Sequence, residues 1–153
     1  MVIDVTPELC IGCRLCEWAC SFWHNKANSP TKSRITVVRD EAGTLDIPVV
    51  CLQCDDPPCS AACPTGALRK DDITGLVEYD PDRCVGCRMC VVACPFGAIA
   101  WDPDSRRILK CDLCGGDPQC VKVCPTEALK FVRADVSHLR KRMRAAERIK
   151  NVL

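Results

Sequence analysis

The sixteen cysteines of this 153-residue chain constrain its fold more than any other feature, because they fall into four groups of four with none left over. In the first and third groups the gaps between successive cysteines are two, two and three residues, and the second and fourth groups widen the middle gap to four and five residues. The groups, which we call motifs 1 to 4, are Cys10, Cys13, Cys16 and Cys20; Cys51, Cys54, Cys59 and Cys63; Cys84, Cys87, Cys90 and Cys94; and Cys111, Cys114, Cys120 and Cys124. A pattern that uses every cysteine leaves little to chance.

Disulfides, zinc and iron–sulfur clusters are the three chemistries that such a cysteine content allows. Only three Phe, three Trp and one Tyr are available for a core, so cysteine chemistry should dominate the fold. Disulfides are typical of exported proteins, yet the N-terminus has no basic start, no apolar h-region and no cleavage site. No apolar run approaches the length of a membrane span. We therefore expect metal-bound thiols and a cytoplasmic location, unless an exported partner carries the chain along.

The spacing favours [4Fe–4S] clusters. A C-x2-C-x2-C loop supplies three thiolates to one side of a cubane and points amide N–H groups at its sulfides. The fourth cysteine, three residues later, ligates the other cluster of a pair. Gly12 and Gly86 fit as residues that approach a cluster or need unusual dihedral angles. Zinc ribbons instead use two C-x-x-C pairs separated by a longer stretch. We predict four [4Fe–4S] clusters, with all sixteen cysteines as metal ligands.

The chain repeats itself beyond the cysteines. Residues 7–16 align with residues 81–90, and residues 56–68 align with residues 117–129. Motifs 1 and 3 are therefore one type and motifs 2 and 4 another. We predict an α+β fold of two bacterial 2[4Fe–4S] ferredoxin-like units, with short strands and helical turns around the clusters.

Between the motifs the sequence predicts only short elements. A hairpin is expected from residues 34–39 and 44–50 with Gly43 in its turn. Small strands are expected at 76–79 and 99–101, and single helical turns at 60–62 and 91–93. The segment from Phe22 to Lys32 has no period and is interpreted as a surface loop.

A basic amphipathic helix is predicted for residues 133–153, with Asp135 or Ser137 as its N-cap. Its charged face is strongly basic, and self-association through this helix is a further prediction. The apolar residues recur at spacings of three and four: Val136, Leu139, Met143, Ala146, Ile149 and Leu153.

The widened motifs 2 and 4, within residues 51–68 and 111–129, resemble those of the dimethyl sulfoxide reductase-type iron–sulfur subunits. The resemblance covers about residues 1 to 132. Ser21 replaces the proline that follows the fourth cysteine of the other motifs, and the gap of five residues in motif 4 is shorter than in many members. Without the large insertions and membrane anchor of respiratory members, the chain is more similar to the small iron–sulfur subunit that accompanies tungsten aldehyde oxidoreductases.

This resemblance implies a nested pairing of the motifs, which the spacing alone does not decide against a sequential one. The outer pair would come from residues 1–33 and 105–132, and the inner pair from 48–104, within one domain of residues 1–132. The implied ligand sets, which we call sites 1 to 4, are Cys10, Cys13, Cys16 and Cys124; Cys20, Cys111, Cys114 and Cys120; Cys51, Cys54, Cys59 and Cys94; and Cys63, Cys84, Cys87 and Cys90.

The function expected from the family is electron transfer without a catalytic site. The implied partner is a catalytic oxidoreductase subunit that binds a tungsten or molybdenum pterin, with a flavin subunit or a ferredoxin at the other end. A polyferredoxin-like subunit of a hydrogenase or formate dehydrogenase is an alternative. A structural zinc protein that binds nucleic acid through its basic tail is a second and weaker one, and we expect no nucleic acid partner and no membrane span.

A few other residues invite a role. Arg14 and Arg88 hold equivalent places inside motifs 1 and 3, where each either raises a cluster's potential or meets a partner, or simply offsets the cluster charge. The same interpretations apply to Lys110 and Lys122. His24 is interpreted as an ordinary loop histidine. The three tryptophans are interpreted as apolar shielding: Trp18, Trp23 and Trp101.

Overall fold

The structure, a computed structural model, describes residues 1–150, without the side chains of Arg144, Arg148 and Ile149. The predicted helical residues 151–153 lie outside this range. The strands are β1 (Val2–Val5), β2 (Ile35–Arg39), β3 (Asp46–Val50), β4 (Leu68–Lys70), β5 (Val77–Tyr79), β6 (Ile99–Asp102), β7 (Arg107–Lys110) and β8 (Leu129–Val132). The helices are α1 (Leu15–Asn25), α2 (Pro58–Ala61), α3 (Met89–Ala93), α4 (Gln119–Lys122) and α5 (Ala134–Lys150), with short 3₁₀ turns at Pro7–Leu9, Pro30–Lys32 and Leu113–Gly116.

The strands form four separate antiparallel pairs: β1 with β8, β2 with β3, β4 with β5, and β6 with β7. The first pair joins the two ends of the ferredoxin-like body, with Val5 opposite Leu129. The Thr6 N–H extends this ladder by donating to the Ala128 carbonyl at 2.8 Å. Motif 1 therefore begins beside the end of motif 4.

The predicted hairpin around Gly43 is confirmed as β2 and β3. Ile35 and Val37 alternate into the core, as β-branched residues at every second strand position do. The Asp40 carboxylate closes the turn by accepting hydrogen bonds from the Thr44 and Leu45 N–H groups, at 2.7 and 2.8 Å.

The strands predicted at 76–79 and 99–101 are confirmed as β5 and β6. Each pairs with a strand of three or four residues, β4 or β7, that the sequence analysis missed. Such short segments show no measurable period, and they become strands because a neighbour supplies the backbone hydrogen bonds. The two helical turns expected after motif cysteines are confirmed as α2 and α3.

The interpretation of Phe22 to Lys32 as a surface loop is wrong for residues 22–25 and for the 3₁₀ turn at Pro30–Lys32, and only residues 26–29 are irregular. Helix α1 continues to Asn25, and the Ser21 hydroxyl, which is fully buried, holds the following chain by donating to the Ala27 carbonyl at 2.7 Å. The Asn25 amide also donates to the Lys32 carbonyl at 3.1 Å. The spacing of Cys16 and Cys20, i and i+4, could have predicted the helix, because it places both side chains on one buried face.

Helix α5 begins at Ala134, so Asp135 and Ser137 lie within its first turn rather than capping it. The Ser137 hydroxyl donates to the buried Asp4 carboxylate at 2.7 Å and fixes the start of the helix on β1. Further along, Leu139 and Met143 are more than half exposed. The self-association predicted for this helix stays a prediction.

Cysteine side chains make up a large part of the buried core. One cluster of buried residues combines Ile3, Ile35 and Leu129 with cysteines of motifs 1, 2 and 4. A second cluster combines Leu68 and Ile99 with cysteines of motifs 2 and 3. Among the residues that the structure describes, no helix is long and apolar enough to cross a membrane.

A buried glutamate ties α1 to the β2–β3 hairpin. Glu17 is 1% exposed, and its Oε1 accepts a hydrogen bond from the Val37 N–H at 2.6 Å. Replacing Glu17 with alanine leaves this N–H unpaired, which costs about 1–3 kcal/mol. We expect Glu17→Ala to lower the midpoint of urea unfolding, followed by far-ultraviolet circular dichroism, while Glu17→Gln keeps the acceptor and most of the stability. The control Glu41→Ala changes an exposed acid in the hairpin turn. An equal midpoint for Glu17→Ala and Glu41→Ala would contradict this account.

Candidate metal centres

Three cavities bring together the cysteines that the resemblance assigns to sites 2, 3 and 4. Each is lined by all four cysteines of one site and mostly by apolar side chains besides. Two separate motifs contribute to every cavity. Thus Cys94 of motif 3 joins the motif 2 cavity, Cys63 of motif 2 joins the motif 3 cavity, and Cys20 of motif 1 joins the motif 4 cavity.

The cysteines of site 1 lie around the first core cluster. Cys16 is buried in the first core cluster, and Cys10 and Cys124 pack against that cluster. Burial raises the pKa of the Cys16 thiol to about 12, and the nearby Cys13 and Cys10 thiols add to this rise. The β1–β8 pair explains why cysteines of motifs 1 and 4 pack against the same cluster, because it places residues 2–5 beside residues 129–132.

Electrostatic coupling between thiols follows the same grouping. Burial raises the pKa of the Cys120 thiol well above its usual range, and the next largest contributions come from the other three thiols of site 2. Burial likewise raises the pKa of Cys54, with contributions from Cys51 and Cys94 of site 3. The other thiols of site 2 therefore lie near Cys120, and two thiols of site 3 lie near Cys54.

Other couplings join each site to the next. In each case burial first raises the pKa of a thiol, and a cysteine of the neighbouring site raises it further. The pairs are Cys120 with Cys16 (sites 2 and 1), Cys111 with Cys51 (sites 2 and 3), and Cys90 with Cys59 (sites 4 and 3). Thiols of site 1 therefore lie near site 2, thiols of site 2 near site 3, and thiols of site 3 near site 4.

The backbone takes the same turn at the second cysteine of every motif. The residue just before that cysteine is left-handed in all four motifs, with φ of +68° at Gly12, +51° at Gln53, +70° at Gly86 and +57° at Leu113. Gly12 and Gly86 were predicted either to approach a cluster or to need unusual dihedral angles. The left-handed backbone at Gln53 and Leu113 was not predicted, because residues with a side chain rarely adopt it. Because this left-handed conformation recurs at four equivalent positions, we infer that each loop is constrained by the group that it encloses.

Backbone amides also point at cysteine sulfurs. The Arg34 N–H donates to Cys20 Sγ at 3.2 Å, and the Ala67 N–H donates to Cys63 Sγ at 3.2 Å. Donors aimed at sulfur stabilise thiolates and the anionic clusters they carry. The donor sets, the apolar walls and these amides together fit a [4Fe–4S] cluster.

His24 is the functional candidate that the sequence analysis misjudged. It lies on α1 with its side chain 9% exposed, and its Nε2 is 3.6 Å from Cys114 Sγ and 3.4 Å from Asp112 Oδ1. Burial lowers the pKa of His24 below its ordinary value, with a further contribution from the Arg34 charge, which favours the neutral imidazole. A neutral ring protonated at Nε2 can donate to the Cys114 sulfur. The helical continuation of α1 was the signal that could have placed His24 at site 2.

Sites 1 and 4 contain the most exposed thiols. Of the sixteen thiols, all of them in the described part of the chain, Cys13 of site 1 and Cys87 of site 4 are exposed. The tryptophans shield less than predicted, because Trp18 and Trp23 are nearly half exposed. Trp101 lies under the Arg88 guanidinium, 4.4 Å from ring centroid to Cζ, so Arg88 is held beside site 4.

Two family models, each described as a 4Fe-4S dicluster domain, match residues 44–134 and 9–68. The chain belongs to this family of ferredoxin-like electron-transfer subunits of oxidoreductase complexes. It is 44% identical over 134 residues to the polyferredoxin-like subunit of an aliphatic sulfonate oxidoreductase of Pyrococcus furiosus, covering 85% of this chain and 76% of that one.

Two bacterial relatives are similar over comparable lengths. The putative electron transport protein YsaA of Escherichia coli is 41% identical, with 85% of this chain and 87% of that protein covered. The thiosulfate reductase electron transfer subunit PhsB of Salmonella typhi is 35% identical, with 86% and 75% covered.

The geometry at His24 yields a prediction for the iron-loaded protein. His24→Leu removes a hydrogen bond to the Cys114 thiolate, and a bond to a charged group contributes about 1.5–3 kcal/mol. We expect one cluster of the variant to be lost faster when an iron chelator is added, as a separate fast phase in the decay of visible absorbance. The matched control is His138→Leu, which changes the other histidine, an exposed one on α5. A decay indistinguishable from that of the unmodified protein would contradict a role for His24 at site 2.

Proposed function

We propose that this chain carries four [4Fe–4S] clusters, one in each of sites 1 to 4, and relays single electrons along the row. The observation that carries the proposal is that three cavities each gather four cysteines from two motifs. The order 1, 2, 3, 4 is part of the proposal, and Cys13 of site 1 and Cys87 of site 4 are exposed at its two ends. When bound, a [4Fe–4S] cluster supplies one-electron redox chemistry. The chain itself would contribute thiolates, N–H donors and the exclusion of water, and no catalytic site.

Exposed apolar side chains surround both ends of the proposed relay. Ile11 and Leu15 flank Cys13, and Val85 and Met89 flank Cys87, at equivalent positions of motifs 1 and 3. Apolar groups left exposed beside a functional site are typical of surfaces that another protein covers. Each end of the row is therefore proposed to dock one redox partner.

The partner proposed for one end is a catalytic oxidoreductase subunit. The relatives from Pyrococcus furiosus and Salmonella typhi support this class, since the first is named as a subunit of a sulfonate oxidoreductase and the second as the electron transfer subunit of a thiosulfate reductase. A tungsten or molybdenum pterin in that subunit, a flavin subunit or ferredoxin at the other end, and a cytoplasmic location complete the proposal. Reconstitution of the chain with subunits that copurify anaerobically tests it, and a copurified complex without a redox-active catalytic subunit would overturn it.

The proposed ligand sets predict how cysteine variants combine. Cys51→Ala and Cys94→Ala should each cost one cluster, or about four irons per chain. The double variant should lose no more than the single ones, because both cysteines belong to site 3. Replacing Cys94 together with Cys87 should instead cost about eight irons, since Cys87 belongs to site 4. Iron analysis after anaerobic purification checks this, and additive losses for Cys51 and Cys94 would contradict the nested pairing.

Substitutions at the two exposed ends should separate the two partners. A charge in an apolar contact is costly to desolvate, so Ile11→Glu should slow electron transfer to the partner at site 1, and Val85→Glu should slow transfer at site 4. Stopped-flow measurements with the copurified partners report each half of the relay separately. The control is Ile73→Glu, because Ile73 is an equally apolar residue that is 97% exposed in the turn after β4. Equal effects of all three substitutions would contradict the assignment of the docking ends.

A further inference from the structure

A buried lysine lies between sites 2 and 3. Lys110 is 3% exposed at the end of β7, directly before Cys111 of site 2. Its Nζ donates to the Cys111 carbonyl at 2.9 Å and to the Gln53 Oε1 at 3.3 Å. Because Gln53 belongs to the loop between Cys51 and Cys54, this ammonium touches the backbone of one site and the loop of the next.

Gln53 completes the connection between the two sites. Its side chain is 4% exposed, its Nε2 donates to the Cys111 carbonyl at 2.9 Å, and its Oε1 also accepts from the Val77 N–H at 2.9 Å. On the other side of the same loop, Lys70 Nζ donates to the Gln53 and Cys54 carbonyls at 3.1 and 2.8 Å. The polar groups are therefore fixed, and Lys110 has little freedom to turn towards solvent.

Lys110 has no acidic partner within reach. Among the described residues, no carboxylate oxygen lies within 4.0 Å of its nitrogen, although Lys32, Lys122 and Lys130 each pair with an acid. A buried charge without a counter-charge is strongly unfavourable. A compensating anion is therefore expected nearby, and the four-thiolate groups proposed for sites 2 and 3 are the anionic groups on either side.

We propose that Lys110 raises the reduction potentials of the clusters at sites 2 and 3, relative to the same sites without its charge. This inference rests on the proposed function. In each relay step the donor site loses one electron and the acceptor site gains it, with no bond formed and no proton moved. Each reduction adds one negative charge beside Lys110, which a buried cation stabilises because little water is present to screen it. Because Lys110 acts on sites 2 and 3 alike, it raises both reduction potentials and leaves the difference between the two potentials small.

The test is a redox titration of the iron-loaded protein, followed by electron paramagnetic resonance. In Lys110→Met we expect two of the four clusters to become harder to reduce. At a fixed solution potential their ratio of reduced to oxidised form should fall about tenfold, which corresponds to about 59 mV for a one-electron couple. Lys110→Arg, which keeps the charge, should stay near the unmodified protein. Comparison with Cys111→Ser and Cys51→Ser identifies the signals of sites 2 and 3.

The matched control is Lys122→Met, which removes an exposed lysine from motif 4, between Cys120 and Cys124. It should leave all four potentials unchanged, because solvent screens its charge. Unchanged potentials in Lys110→Met, or a shift confined to sites 1 and 4, would overturn the inference. A shift of the same size in Lys122→Met would also overturn it.

If the Lys110→Met variant loses iron, a second variant tests the effect of charge on the two potentials. Gln53→Glu keeps the acceptor of Lys110 and places a negative charge against it, so the same two potentials should fall while Lys110 remains. Unchanged potentials in that variant would overturn the inference. If the unmodified protein itself lacks four [4Fe–4S] signals, the proposed function fails first, and that result is distinct from an unresponsive Lys110.

Discussion

Bringing cysteines from two separate motifs into one cavity is the requirement on which the rest of this structure depends. A single motif supplies three cysteines, and the fourth comes from a motif elsewhere in the chain, as Cys94 and Cys63 do at sites 3 and 4. The strands are accordingly short and occur in isolated pairs. Their role is to hold the motifs against one another, most clearly where β1 and β8 bring the chain ends together.

Charge is the second requirement, because four-thiolate sites in an apolar interior need compensation. Amide N–H groups at Cys20 and Cys63 and the buried Lys110 supply it from within the chain. Ion pairs at the surface, such as Arg39 with Asp46, contribute little in comparison, since solvent screens them. The unpaired Lys110 thus has a physical reason to be buried once the neighbouring sites are considered.

The repeated cysteine motifs were enough to predict the α+β character and the number of four-cysteine sets, and the two strand-like segments around Gly43 predicted the β2–β3 hairpin. It did not predict β4 and β7, whose few residues carry no period, nor the left-handed backbone at Gln53 and Leu113. His24 was misjudged because a helix through Phe22 to Asn25 has to be known before its ring can be placed beside Cys114. The role proposed for Lys110 depends on burial and on the absence of an acid partner among the described residues, and sequence shows neither.

The most direct test of the central claim is the analysis of iron and acid-labile sulfide in the anaerobically purified chain. We expect about sixteen irons and as many sulfides per chain, at four of each per cluster. Neighbouring reduced clusters should also interact magnetically. About eight irons or fewer, or zinc in their place, would contradict a relay of four [4Fe–4S] sites.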